Sequence, residues 1–302
     1  MKETKKVQQM GNALTIYLPH KWTQSNGVSK GATVFVSESQ DGSLSISAKK
    51  RDEKAVISIS CADNEESLHR TISSYISGAD EIRLEGRNAF WVANEARNTL
   101  STIEVHNEPD GGFVLRVIHE AEQVPPEETL RRMFNSSRSI HNFVAGIVDG
   151  KVHATEKEVQ ERDNSVDRLH LLLIRQAYQA KSSFESGSNV IIAKTIERVA
   201  DHTVDLGIEA LKTPGLKDEL DAYHDAFKLY EDAMQRFWKK EFSFEIFDRR
   251  DELRKRILKR QTGKNRPERT MFISHCLRIT DYACDIVEIT CDRVQRSLLS
   301  TE

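Results

Sequence analysis

The feature that most restricts the fold is an internal repeat. Leu130, Met133, Ser137, Ile140, Val144 and Ile147 follow 3-4-3-4-3 spacing, and Leu220, Tyr223, Phe227, Tyr230, Met234 and Phe237 follow the same spacing further along the chain. Residues three and four apart share one helix face, so each run reads as the apolar seam of a bundle helix. The match continues downstream. Arg162-Asp163 recurs as Arg250-Asp251, and Arg198-Val-Ala-Asp201-His-Thr-Val-Asp205 recurs as Arg278-Ile-Thr-Asp281-Tyr-Ala-Cys-Asp285. The repeat predicts two tandem three-helix bundles. Their helices are expected at 126–150, 152–181 and 190–212 in the first half (126–212), and at 216–241, 243–261 and 267–299 in the second (216–299). Gly187, Pro214-Gly215 and Gly263 are the turn signals between helices.

Upstream of Pro125-Pro126 the pattern changes twice. Residues 52–120 alternate between strand and helix signals: strand 55–61, helix 65–77, strand 81–84, helix 88–100, then strands 102–106 and 113–119 around Asp110-Gly111-Gly112. This β-α-β-α-β-β order predicts an α+β middle domain with helices on one face, and no site is visible in it. Residues 1–51 read as strands at 5–9 and 13–18 around Gly11-Asn12, a helical turn at 20–25 after Pro19, and a hairpin of 33–37 with 44–48 across Asp41-Gly42. About 50 residues make a marginal core, which dimerisation would remedy. The expected fold is therefore multidomain α+β, divided at 1–51, 52–120 and 121–302.

Charge divides along the same lines. The net charge of −3 separates into a basic first segment, with eight Lys or Arg against three acids in residues 1–51, and an acidic remainder. A basic head on an acidic body points to two tasks. No apolar run approaches the length of a spanning helix, and Met1 to Met10 lack the apolar core of a secretory signal, so a cytoplasmic protein not embedded in a membrane is expected. Cys61, Cys276, Cys284 and Cys291 are too few for a disulfide framework, and the last three share a helical face as buried thiols.

The residues that carry chemistry are acids. Glu197, Asp201 and Asp205 lie four apart, with Glu209 continuing the row, beside the apolar stripe Ile192, Ile196, Val199 and Leu206. The preceding helix supplies Asp163 and Asp167, also four apart, beside Val159, Val166, Leu169 and Leu173. Facing rows of carboxylates offer oxygen ligands to a hard or borderline cation. The alternative is that Arg162, Arg168, Arg175, Lys194 and Arg198 neutralise them on a solvated face. In the second half Glu197 becomes Leu277 and Asp167 becomes Lys255, so a site there is expected to be weak, remodelled or empty. His202 reads as a packing or hydrogen-bonding residue. No nucleophile elbow, Cys-x-x-Cys pair or glycine-rich phosphate loop occurs, so the chain is not expected to be an enzyme. A di-metal carboxylate bundle enzyme is a third reading, weakened by the missing Glu-x-x-His motif.

These residues resemble two known families. Lys5-Lys-Val-Gln8, Leu14-Thr-Ile-Tyr-Leu-Pro-His-Lys-Trp22 and Asp41-Gly-Ser-Leu-Ser-Ile46 look like the N-terminal half of an AbrB/SpoVT-type swapped-hairpin domain. Glu197-Arg-Val-Ala-Asp201-His and Arg278-Ile-Thr-Asp281-Tyr look like a PhoU domain. Together they resemble the archaeal-type AbrB–PhoU phosphate uptake regulators. The resemblance implies a homodimeric or higher-order DNA-binding transcriptional regulator of phosphate uptake, with a metal-binding helical body. It implies metal ligands at Asp163, Asp167, Glu197, Asp201 and Asp205, and a weaker second set at Asp251, Asp281 and Asp285. The cation is a divalent or trivalent iron, zinc, manganese or magnesium ion. For DNA it implies Lys5, Lys6, His20 and Lys21, with Gln8 or Gln9 as base readers. No arginine precedes Arg51, so phosphate attraction is better supported than bidentate guanine readout. The second reading is an adaptor that dimerises through its head and acts on a phosphate transporter or sensor kinase without touching DNA.

Overall fold

The computed structural model describes residues 4–38, 44–48, 54–118, 124–180, 183–213, 215–261 and 267–299. The expected Asp41-Gly42 turn, the Pro214 and Gly263 turn signals and the divisions at 51/52 and 120/121 lie outside these residues. The chain divides into two compact units, Met1–Lys54 and Ala55–Glu302.

In the first unit, β1 (Gln8–Met10) and β2 (Ala13–Thr15) pair antiparallel with Gln9 opposite Leu14. Gly11 turns the chain between them with a φ of 61°, a conformation that glycine adopts without strain. The short helix α1 (His20–Ser25) follows Pro19, and β3 (Phe35–Glu38) pairs antiparallel with β4 (Leu44–Ser47). The strand expected over 13–18 is shorter because pairing stops at the Gln8–Thr15 pair. Within one chain these strands form two separate two-stranded sheets. None of the unit's described residues is buried, and Met10, Leu14 and Tyr17 are 75%, 76% and 70% exposed. Two-stranded ribbons are marginal in water without an apolar face to cover.

The second unit begins with the α+β segment expected at 52–120. Strands β5 (Val56–Ser60), β6 (Glu81–Glu85), β7 (Ile103–Asn107) and β8 (Phe113–Val117) form one sheet in the order β5-β6-β8-β7, with β5 and β6 parallel and the other pairs antiparallel. Helices α2 (Asn64–Ile76) and α3 (Ala89–Thr99) cover it, burying Tyr75, Val92 and Ala96 over Ile82, Leu84 and Leu115. Asp63 caps α2 by accepting the Glu66 N–H at 2.9 Å.

The helical part follows the repeat. The first half contains α4 (Pro126–Val148), α5 (Glu156–Gln160), α6 (Asn164–Gln179) and α7 (Ser183–Lys212). After a 3-10 turn at Leu216–Glu219 come α8 (Leu220–Lys239), α9 (Glu245–Gln261) and α10 (Pro267–Leu299). Every seam residue expected on α4 is buried, as are Tyr223, Phe227, Tyr230, Met234 and Phe237 on α8. Ser137 on α4 and Tyr230 on α8 share a hydrogen bond of 3.1 Å. Helix α4 packs on α7, α8 on α10, and α7 on α10, so the two halves meet along their last helices. Cys276 and Cys284 are buried free thiols and Cys291 is half-buried.

Two expectations for the helical part differ. The helix expected over 152–181 is broken into α5 and α6. Helix α7 starts at Ser183, so Gly187 lies inside it rather than in a turn. The sheet layer and the bundle lie in one compact unit because α2 and α3 also pack against α6. Arg175 of α6 is completely buried there and donates to the carbonyl oxygens of Tyr75 and of Ala79, the latter at 2.9 Å.

The two helical glycines of α7 have opposite roles. A Cβ on Gly207 would meet Val144 and Val159 methyl groups at 2.9 Å, whereas a Cβ on Gly187 would meet nothing within 4 Å among the described residues. Gly207→Ala should therefore lose about 1–3 kcal/mol to overpacking, outweighing its better helix propensity. Gly187→Ala should gain up to about 1 kcal/mol. Chemical denaturation of both variants checks this, and equal shifts would contradict close packing at Gly207.

Candidate functional site

The break between α5 and α6 positions the acids. Thr155 and Glu158 form a reciprocal capping box, the Thr155 N–H donating to Glu158 Oε2 at 2.7 Å, and this starts a helix of only five residues. Asp163 then becomes the residue that leads into α6, and Asp167 falls in the first turn of that helix. Both carboxyl groups stand at the positive end of the helix dipole. The facing helix α7 brings Glu197, Asp201 and Asp205 on successive turns. Ligand atoms of Asp167, Glu197 and Asp201 all lie within 4.8 Å of one another. Along α7 the side chains sink into the bundle, Asp205 being 51% exposed, Asp201 35% and Glu197 13%.

Neutralisation is incomplete. Lys194 Nζ lies 2.6 Å from Glu197 Oε1, and Arg198 lies 3.7 Å from Asp201 Oδ2. The other three cations that the sequence offers are used elsewhere. The Arg162 guanidinium lies 3.8 Å from the centre of the Phe143 ring, Arg168 donates to the Asn98 carbonyl, and Arg175 is buried against the sheet layer. Among the described residues, Glu197 Oε2 is buried without a hydrogen-bond partner, with the Arg198 Nε 3.8 Å away. Such an atom fits a missing cation, because an orphaned buried carboxylate oxygen is costly.

The electrostatic consequence is visible in the acids. Burial pushes the Asp167 carboxyl up to about 7, with the neighbouring Asp163, Asp201 and Glu197 charges adding to it. Burial and then Glu197 push Asp201 up to about 6. Asp163 is raised by burial and by Asp205 and Glu197, although it lies outside the closest set. Close beside them, burial holds His170 below its ordinary range.

Asp205 does not join that set. Its carboxylate groups instead with His202 of the same helix and His275 of α10. Burial, and then His275, lowers His202. His275 was not visible as a site residue, since no spacing rule links it to α7. In the second half, Arg250 donates to Asp251 at 2.6 Å and to Asp281 at 3.2 Å, and Arg254 lies 3.6 Å from Asp281. Guanidinium groups thus occupy the place a cation would take, rather than the Lys255 ammonium anticipated from the sequence. Asp285 is raised by burial and by Glu288. In the head, Lys5, Lys6, Gln8, His20 and Lys21 are all exposed. Gln9, by contrast, is tied to its own turn by a 3.2 Å bond to the Gly11 carbonyl.

Residues 130–209 match the PhoU domain. The match runs from α4 through most of α7 and contains Asp163, Asp167, Glu197, Asp201 and Asp205. No curated protein and no solved structure matches the chain. Among the described residues, no helix is long and apolar enough to cross a membrane.

Because Asp167 and Asp201 hold protons in the folded chain that they release on unfolding, stability contributed at acid pH is lost as pH rises from about 4 towards 7. In chelator-treated protein, Asp167→Asn should match the parent near pH 4 and be more stable by about 1–2 kcal/mol at pH 8, after discounting for partial exposure. Denaturant titration across pH measures this, and parallel curves would contradict it.

Proposed function

We propose that this protein is a metal-dependent regulator of phosphate homeostasis that binds DNA through its first 51 residues. The observation that carries the reading is that the Asp167–Glu197–Asp201 cluster lies inside the stretch matching the PhoU domain, which suggests a phosphate-homeostasis regulator. Asp163, Asp167, Glu197 and Asp201 would hold an iron, manganese, magnesium or zinc ion, while Asp205 groups with His202 and His275 instead. An all-oxygen donor set accepts each of these. Bound there, the cation supplies the positive charge that Lys194 and Arg198 leave short. The carboxylates of α6 and α7 would then be held together instead of repelling.

The head supplies the other end. Lys5, Lys6, His20 and Lys21 are exposed cationic or ionisable groups suited to phosphate contacts, with Gln8 available for a base edge. The uncovered apolar residues Met10, Leu14 and Tyr17 support association with a second copy as a homodimer, which would give these strands a core.

A gel shift on promoters of phosphate-transport genes tests the reading. The intact protein should bind at low salt, and a Lys5/Lys6/Lys21 triple alanine should flatten the logarithmic salt dependence by about 2–3. Failure of the intact dimer to bind at low salt would overturn DNA binding. The second reading rests on the exposed apolar residues Met10, Leu14 and Tyr17, which would serve dimerisation without any DNA contact. In it the acidic bundle docks on a phosphate transporter or sensor kinase, and the triple alanine leaves phosphate regulation in cells unchanged.

A further inference from the structure

A second group of ligating side chains lies where the two halves of the bundle meet. His202 and Asp205 come from α7 and His275 from α10, and one ligand atom of each lies within 4.8 Å of the others. His202 Nδ1 is 2.9 Å from His275 Nδ1, and His275 Nδ1 is 3.7 Å from Asp205 Oδ2. His275 is only 13% exposed while Asp205 is 51% exposed, so the group has a closed inner side and one open to water. The His202 ring stacks on Tyr282 with centroids 5.7 Å apart. Tyr282 is the residue that takes the place of His202 in the second repeat, so the two halves pack here through equivalent positions.

The geometry suits a metal better than it suits the side chains alone. Two neutral imidazoles facing each other through Nδ1 satisfy one contact only if one ring donates and the other accepts, and the carboxylate then has no short bond to either. Ligand atoms around a tetrahedral ion with bonds of about 2.0–2.1 Å lie about 3.3 Å apart, a value that the 2.9 Å and 3.7 Å separations bracket. Two imidazole nitrogens and one carboxylate oxygen with an open position favour a borderline divalent ion over magnesium or calcium.

We propose that His202, Asp205 and His275 form a binding site for one borderline divalent cation of the zinc class, which pins α7 of the first half to α10 of the second. It is distinct from the all-oxygen cluster in donor set and in the helix it recruits. It stands whether or not that cluster holds an ion. The fourth position faces water and is open to a solvent or anionic ligand.

The test is a visible-spectrum titration of the chelator-treated full chain with Co2+, followed by displacement with Zn2+. The parent should bind one Co2+ with tetrahedral-type bands that Zn2+ removes and excess Mg2+ does not. Outer-shell changes at metal sites already cost 10–100-fold, so His275→Gln should lose the bands and more than about 100-fold in Zn2+ affinity. Asp205→Asn, whose half-exposed side chain makes misfolding a poor explanation, should also weaken binding, while Asp201→Asn should leave it intact. The proposal is overturned if the parent binds no Zn2+-displaceable Co2+, if both His275→Gln and Asp205→Asn retain full affinity, or if Asp201→Asn loses as much as His275→Gln.

Discussion

Three carboxyl groups held within 4.8 Å of one another between α6 and α7 set the constraint on which the acidic end of the bundle depends. Like charges at that distance in a half-buried place cannot all be ionised without a counter-charge. Among the described residues two cations reach them, and the remaining imbalance appears as raised Asp167 and Asp201 carboxyls and as a buried Glu197 oxygen without a partner. The same helices carry the core of the first half, with Val166, Leu173, Ile192, Ile196 and Val199 packed directly behind the acids. The apolar stripe therefore fixes the spacing at which the acids must face one another, and packing forces the electrostatic problem that a cation would relieve.

The second half keeps the scaffold and solves the problem differently. Its helices bury the same seam, yet Arg250 and Arg254 reach Asp281, and Arg250 also holds Asp251. The equivalent of Arg250 in the first half, Arg162, lies instead over the Phe143 ring and leaves its neighbouring acids uncovered. One repeat thus covers Asp251 and Asp281 with its own guanidinium groups, while the other leaves its paired acids short of positive charge. The contact between α7 and α10 joins them, and the sheet layer is fastened to the bundle by the buried Arg175.

Much of this was legible in the sequence, because apolar spacing survives divergence: the seams of α4 and α8, the strand and helix order of the middle segment and the paired acids all follow from periods of 3.6 and 2. The break before α6 was signalled by Asp163-Asn164-Ser165, residue types that favour helix starts although the Asp163 side chain makes no cap bond, but the apolar pattern from Val159 to Leu173 masked it. Gly187 misled because a glycine in a helix with open space around it looks the same in sequence as one in a turn. The partition of the acid row was not legible. Asp205 turns towards His275 because α10 crosses α7 at that height, and no local pattern encodes a crossing between distant helices.

The most direct measurement is calorimetric titration of the chelator-treated full chain with Mn2+ at pH 6.5, in two buffers of different ionisation enthalpy. A cation held by Asp167, Glu197 and Asp201 must displace protons from carboxyl groups raised to about 7 and about 6, so binding should release about one proton per ion. That release should disappear in a double Asp167→Asn, Asp201→Asn variant together with the affinity. Absence of Mn2+ binding, or binding that is buffer-independent and survives the double substitution, would contradict a cation centre at these carboxylates.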